Sequence, residues 1–204
     1  MQEIVTGVHI WSELSNQKDI AFNGYAVSTE RGTIVIDPPD PGAAGWERLD
    51  ELAPVDGVYI TNRNHSRAAA AFRDRYGAPV RIHRSDAERA KVEADDTLTG
   101  DESVGDGVQI VSVPGKSPGE IAFHLKDKQA LIVGDLVIGA APGVLSTYPD
   151  EAIDDREQLL RSAEKLLQLD FDALLLCDGD PLPRHGKERL QAFVQSHGGE
   201  ASAT

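Results

Sequence analysis

The chain has 204 residues, a formal net charge of −14, 40% hydrophobic residues and a single cysteine, Cys177. That length suits one domain with a sizeable core and is too short for two ordinary ones, and no run approaches the roughly 20 apolar residues of a membrane-spanning helix. The acidity speaks against nucleic acid as a partner, because backbone phosphates are held by clustered Lys and Arg, and one thiol excludes an intrachain disulfide and a cysteine-built zinc site.

In chain order, residues 4–11 alternate loosely and read as a strand. A polar turn at Ser15-Asn16-Gln17 leads to a second strand over 20–27. Gly32 opens a short apolar run, Thr33-Ile34-Val35-Ile36, which ends in Asp37-Pro38-Pro39; such runs suit central strands covered on both faces. A helix over 44–52 stops before Pro54, and a strand over 57–61 follows. The polar stretch 62–67 precedes an Ala-rich helix over 68–76, which Gly77 ends. Val80 and Ile82 mark another short strand. Residues 95–106, acidic and Gly-containing, read as exposed turns.

Strands resume over 108–113, 121–125 and 130–133. The clearest helix spans 153–169, where Ile153, Leu159, Leu160, Ala163, Leu166 and Leu167 share one face. A strand over 173–177 and a helix over 184–195 complete the order. Cys177, closing the apolar run 173–176, reads as a buried strand-end thiol. Residues 1–198 form one domain and 199–204 a flexible tail. With no basic segment leading into an apolar one at the N-terminus, no signal peptide is expected, and the cytoplasm is the expected compartment.

The alternation of strands and helices in two similar halves fits two mixed sheets packed face to face with helices outside. Several segments sharpen this. Asn23-Gly24-Tyr25 and Ile34-Val35-Ile36-Asp37-Pro38, the loop 61–72 between a strand and a helix, the turn Val113-Pro114-Gly115-Lys116-Ser117-Pro118-Gly119-Glu120, Val133-Gly134-Asp135-Leu136 and Cys177-Asp178-Gly179 follow one another at telling distances. Together, over about residues 3–196, they resemble the metallo-β-lactamase superfamily. The resemblance implies an α/β (α+β) fold, a four-layer αββα sandwich, and a hydrolase ancestry. In that family, imidazoles and carboxylates hold two zinc ions that activate a bridging water.

Carried over residue by residue, the resemblance puts Asn62 and Asn64 where the first loop has its leading His pair, Ser66 at the Asp position and Arg67 at the next His position. Lys116 stands at the His of the Pro-Gly-His turn, and Asp178 at the last His. Of these positions only that of the bridging Asp, Asp135, keeps the family's residue. His65 falls on a spacer position that points toward the site or the surface. His185, in the last helix, and His83, His9, His124 and His197 have no ligand context.

The replacements are chemically patterned: cations at Arg67 and Lys116, anions at Asp135 and Asp178. They point to a salt-bridged polar cluster at the old site, with Asn62, Asn64, His65 and Asp180 joining it. No cofactor or metal is expected there, since an ammonium at a ligand position repels a divalent ion. If one divalent ion is held, Asp135, Asp178 and His65 would hold it. Two functions stay open beside a purely structural role, in which the cluster only holds the fold or an oligomer together. One is a small-molecule-binding protein, or an enzyme of altered mechanism, for a small anionic or polar metabolite. The other is a metal-dependent hydrolase of esters, lactones or thioesters with a nonstandard metal site. Residues 142–148 either line the entrance, as the resemblance implies, or form an ordinary surface loop.

Overall fold

The computed structural model describes residues 1–15 and 20–198; part of the turn placed at 15–17, and the tail at 199–204, lie outside them. The chain begins with β1 (Gln2–Val5), β2 (Val8–Leu14), β3 (Ala21–Thr29) and β4 (Gly32–Ile36), continues through α1 (Gly42–Glu51), β5 (Val55–Ile60), α2 (Ala69–Tyr76), β6 (Val80–His83), the one-turn α3 (Arg84–Ala87) and β7 (Asp96–Leu98). The second half has β8 (Val108–Ser112), β9 (Ile121–Leu125), β10 (Ala130–Val133), the hairpin β11 (Ile138–Ala141) and β12 (Val144–Ser146), α4 (Arg156–Leu166), β13 (Ala173–Leu176) and α5 (Gly186–Gly198).

Strands β1 to β7 form one sheet in sequence order; β13-β10-β9-β8 form the second. The period-two alternation of strand side chains explains the layering. Ile34 and Ile36 of β4 point inward, with Ile132 of β10 and Leu175 of β13, into a core between the two sheets. Their alternates point the other way. Val35 meets Leu49 of α1 and Phe72 of α2 on the outer face of the first sheet. Leu131, Val133, Leu174 and Leu176 meet Leu159, Ala163 and Leu166 of α4 and Leu190 and Phe193 of α5 on the outer face of the second. The order is therefore helices, sheet, sheet, helices.

Four segments depart from the sequence expectation. The first strand is two, β1 and β2, because Gly7, with φ of 73°, turns the chain back. The stretch read as exposed turns contains β7, which pairs in parallel with β6 and buries Leu98 against the inter-sheet core. Residues 138–146 form the β11–β12 hairpin; its Gly and Ala content carries no strand signature. The last helix starts at Gly186 and leaves His185 outside it, at φ of 59°. No helix among the described residues is long and apolar enough to cross a membrane.

Strand direction decides where polar groups gather. Strands β4 and β5 run parallel, as do β10 and β13, so each pair delivers its carboxyl ends to one rim. The antiparallel neighbours β3 and β9 start at the same rim. The turn entering β9 packs against α4 through Gly115: at φ of 148°, an added Cβ would lie 2.4 Å from the Leu159 Cα. Gly115→Ala is expected to cost about 3 kcal/mol through overpacking and backbone strain; urea denaturation would measure it, and a shift under about 0.5 kcal/mol would contradict this packing role.

Candidate functional site

Each polar group at the rim arrives from a strand end. Asp37 follows β4 and adopts φ of 47°, a conformation Asp tolerates better than most residues. It is fully buried and accepts from the Thr61 amide at 2.8 Å and from the Thr61 hydroxyl, both just past β5. Asp135 follows β10, Asp178 follows β13, and both are almost fully buried. The loop after β5 supplies His65 and Arg67. The turn entering β9 supplies Lys116.

His65 stands at the centre. Its Nδ1–H donates to Asp37 Oδ2 at 2.6 Å, and its Nε2–H to Asp135 Oδ1 at 3.0 Å; Asp178 Oδ1 lies 3.8 Å from Nε2. The second Asp135 oxygen takes the Lys116 ammonium at 3.2 Å. Arg67 donates to Asp178 Oδ1 and to the Asn23 and Cys177 carbonyls, at 2.8 and 3.2 Å. Tyr148 donates its hydroxyl to the other Asp178 oxygen. Three cationic side chains thus face three carboxylates within one connected network.

The proton affinities follow from this packing. Burial lowers the His65 pKa, but the charges of Asp135 and Asp37 and the bond to Asp135 outweigh it and, against Arg67, raise the imidazole to about 10. Burial raises Asp135, yet His65 and Lys116 hold its carboxyl well below the ordinary range. Asp37 is likewise lowered: His65, Arg67 and Thr61 overcome its burial. Asp178 is raised, by burial and by Asp135, against His65 and Arg67. Burial and then the charge of Asp37 push the Cys177 thiol up, so it stays protonated.

A fourth carboxyl, Glu120, lies fully buried beside this network, and neither of its oxygens has a hydrogen-bond partner at normal geometry. Burial and the neighbouring Asp135 drive it well above the usual carboxylate range, against His65, Lys116 and the Asp135 amide, and favour its uncharged form. Asp86, from α3, fastens the two loops that bear the cations. It accepts from the Arg63 amide at 2.9 Å, the Ser117 hydroxyl at 2.5 Å and the Gly119 amide at 3.1 Å.

A cavity of about 290 Å³ opens over the network. His65, Arg67, Lys116, Asp135 and Asp178 make its floor, and Phe22, Asn64, Tyr148 and Ala152 its walls and rim. Two sequence candidates stand apart. Asn62 is fully buried and turned into the protein, its amide oxygen accepting from the Asn64 amide at 2.9 Å. Asp180 is exposed and lines two other clefts beside Gly179, outside this cavity. The reversal at Gly179, with φ of 86°, takes Asp180 away from the rim. His185 lies exposed beside Glu188, at 3.5 Å. His83 and His124 are packed and bonded to the carbonyls of Thr99 and Asp170.

Asp37, Glu120 and Asp86 were absent from the sequence-derived candidate set. Asp37 had a signal, a charge closing a buried apolar run. Glu120 and Asp86 had none, since their burial depends on contacts between loops distant in sequence.

The pattern of the metallo-beta-lactamase superfamily matches residues 5–197. The chain belongs to the metallo-beta-lactamase superfamily. A hydroxyacylglutathione hydrolase of Brucella ovis is 28% identical over 153 residues, covering 71% of this chain and 56% of that protein, so the chain spans about half the length of the curated relatives it matches. Among solved structures, the protein TTHA1623 in a di-iron-bound form is similar at a TM-score of 0.69 and 22% identity, over 87% of this chain and 96% of that one. An archaeal superfamily member, ST1585 from Sulfolobus tokodaii, gives 0.75 and 13%, over 93% and 85%.

Two donor sets whose ligand atoms lie within 4.8 Å of one another occur at this rim among the described residues: His65, Asp135 and Asp178, and Asp37, His65 and Cys177. Both depend on His65, whose two ring nitrogens are already engaged.

Two outcomes test the network. Lys116→Met is expected to cost about 3 kcal/mol, because a buried Asp135 loses a partner; a parental melting temperature would show that the ion pair carries no stability. The imidazole of His65 has a pKa of 6.5 when free and about 10 in the fold, so the folded state holds this proton more tightly. Its contribution is complete below pH 6.5 and is lost as pH rises through about 10. Urea midpoints should fall across that window, and His65→Gln should flatten the slope; an equal slope in both proteins would refute the assignment.

Proposed function

We propose that this superfamily member works without the dinuclear zinc centre, its rim holding instead a charge-balanced cluster that receives a small polar or anionic metabolite. The observation that carries this reading is the pairing of Asp135. Both its oxygens are taken by the chain's own cations, His65 at 3.0 Å and Lys116 at 3.2 Å. A carboxylate so paired has no free edge for a bridging role between two ions. Arg67 on Asp178 acts in the same sense.

The donor chemistry also disfavours two ions. Asn62 and Asn64 stand at the first His pair, and amides are weak zinc ligands beside imidazole. Cationic Lys116 would sit against any ion bound to Asp135. A site of this kind binds through hydrogen bonds and charge, and any catalysis in it would run by proton transfer and electrostatic stabilisation by these side chains.

A second reading, a metal-dependent hydrolase, is favoured by two observations. The donor set His65, Asp135 and Asp178 is compact enough for one divalent ion. A curated relative is a hydroxyacylglutathione hydrolase, which gives a thioester as the substrate class to try.

Metal content separates the two. Protein purified without a His tag should carry far less than one equivalent of zinc, iron or manganese, and EDTA should leave its melting temperature unchanged. Near-stoichiometric metal, with a melting temperature that EDTA lowers, would overturn the metal-free reading in favour of the hydrolase.

A further inference from the structure

Three side chains of different donor type meet behind the floor of the cavity. Asp37 follows β4 of the first sheet, Cys177 follows β13 of the second, and His65 comes from the loop after β5. Asp37 and Cys177 are fully buried, His65 is 3% exposed, and of the three His65 alone lines the cavity. A carboxylate oxygen, the thiol sulfur and a ring nitrogen, one from each residue, all lie within 4.8 Å of one another. On the ring, Nδ1 faces Asp37, 2.6 Å from Oδ2. The surroundings fix these donors. The Thr61 amide holds Asp37 Oδ1 at 2.8 Å, and the far ring nitrogen, Nε2, donates to Asp135 at 3.0 Å. A carboxylate on the far nitrogen is the common means of fixing the tautomer and direction of a metal-bound imidazole.

From this geometry we infer that Asp37, His65 and Cys177 form a site for one divalent ion of the zinc class, a buried clamp between the two sheets. A thiolate, an imidazole and a carboxylate together suit zinc or cobalt, whereas magnesium, calcium and manganese favour oxygen ligands. None of the three stands where the superfamily resemblance places a zinc ligand. The pairs Lys116–Asp135 and Arg67–Asp178 stay in place, so the site goes beyond the metal-free reading of the floor and does not rest on it.

The exchange leaves the local charge unchanged. Before it, Asp37 is negative, His65 carries both ring protons and is positive, and the thiol is neutral. On loading, the ion exchanges water ligands for Nδ1, Sγ and an Asp37 oxygen, and the Nδ1 and Sγ protons leave to solvent. The two positive charges of the ion then meet one carboxylate and one thiolate, and the sum is again zero. Arg67, which donates to the Asp37 and Cys177 carbonyls, meets no added charge. Two bonds of about 2.0 Å at a tetrahedral ion set their far atoms about 3.3 Å apart, so Nδ1 and Oδ2 need part by less than about 1 Å. Both protons are tightly held, so the ion enters when it is supplied in excess.

Cobalt titration of the untagged full chain, stripped with EDTA and desalted, tests the site. One equivalent should bind with thiolate-to-metal charge-transfer absorption in the near ultraviolet and release about two protons. Zinc should then displace the cobalt, remove the band and raise the melting temperature. Cys177→Ser should abolish the band and weaken zinc more than about tenfold. If that variant does not fold, the parent spectrum decides alone, because Cys177 is the one cysteine in the chain and no other residue can give the band. Cobalt bound without the band, no binding at about 1 mM cobalt, or zinc affinity unchanged in Cys177→Ser would overturn the inference. Metal content before stripping keeps the failures apart. Metal-free protein that develops no band loses this site alone. Protein purified with metal that gives the band on exchange loses the metal-free reading alone, and metal that exchanges without the band sinks both.

Discussion

Three buried carboxylates at one rim are the constraint on which the rest of this structure turns. Asp37, Asp135 and Asp178 sit at the carboxyl ends of strands, each at most 3% exposed. An isolated ionised carboxylate at such a site would cost far more than the whole stability of a domain this size, so each must be neutralised by protonation, by a metal or by a side-chain cation. The sheet topology makes the problem unavoidable, because parallel pairs in both sheets end at the same rim. Much of the local structure around the site delivers cations to these oxygens. Gly115 lets the Lys116 turn lie against α4, Asp86 fastens that turn to the His65 loop, and Arg67 holds φ of 35° while its guanidinium spans the ends of β3, β4 and β13.

Metal ions and side-chain cations solve the same electrostatic problem with different consequences. A divalent ion concentrates charge at a point, keeps open coordination positions and acidifies bound water. Tethered cations spread the charge, carry their own hydrogen-bond directions and leave no Lewis-acidic position. On the proposed reading, the protein keeps the superfamily's carboxylate at Asp135 and loses the reason that carboxylate was exposed to an ion. What is gained is a floor whose geometry is fixed by covalent attachment, suited to recognition.

Much of this could be read from the chain alone. The inward set Ile34, Ile36, Ile132 and Leu175 and the outward set Val35, Leu131 and Leu174 follow from a period of two, and the αββα order follows from them. The turn around Lys116 and the strand end at Asp135 were visible as spaced Pro, Gly and Asp. Other parts were hidden for definite reasons. The β11–β12 hairpin places Gly139, Ala140 and Ala141 between Ile138 and Val144, too little of a strand pattern to read, and pairs Gly139 beside Gly179. His65 gave an ambiguous signal because its direction depends on the buried Asp37, reached only when β4 and β5 are paired. Asp180 does not share the direction of Asp178, because Gly179 at positive φ lies between them.

Glu120 closes the argument about charge. Had it ionised, the network would hold four anions against three cations, the fourth without a hydrogen-bond donor at good geometry. Its raised proton affinity removes that charge. Neutral Glu120 fills space beside Gly134 and Thr61, where an added Cβ on Gly134 would lie 2.5 Å from the Thr61 hydroxyl and 3.0 Å from Glu120. Gly134 is thus required by the crowding of the two side chains behind Asp135. The glycine of the Gly-Asp strand end, legible in sequence as a motif, has a physical cause in the structure: any larger residue would crowd the Thr61 hydroxyl, which Asp37 accepts from, and the Glu120 carboxyl behind the ion-paired floor.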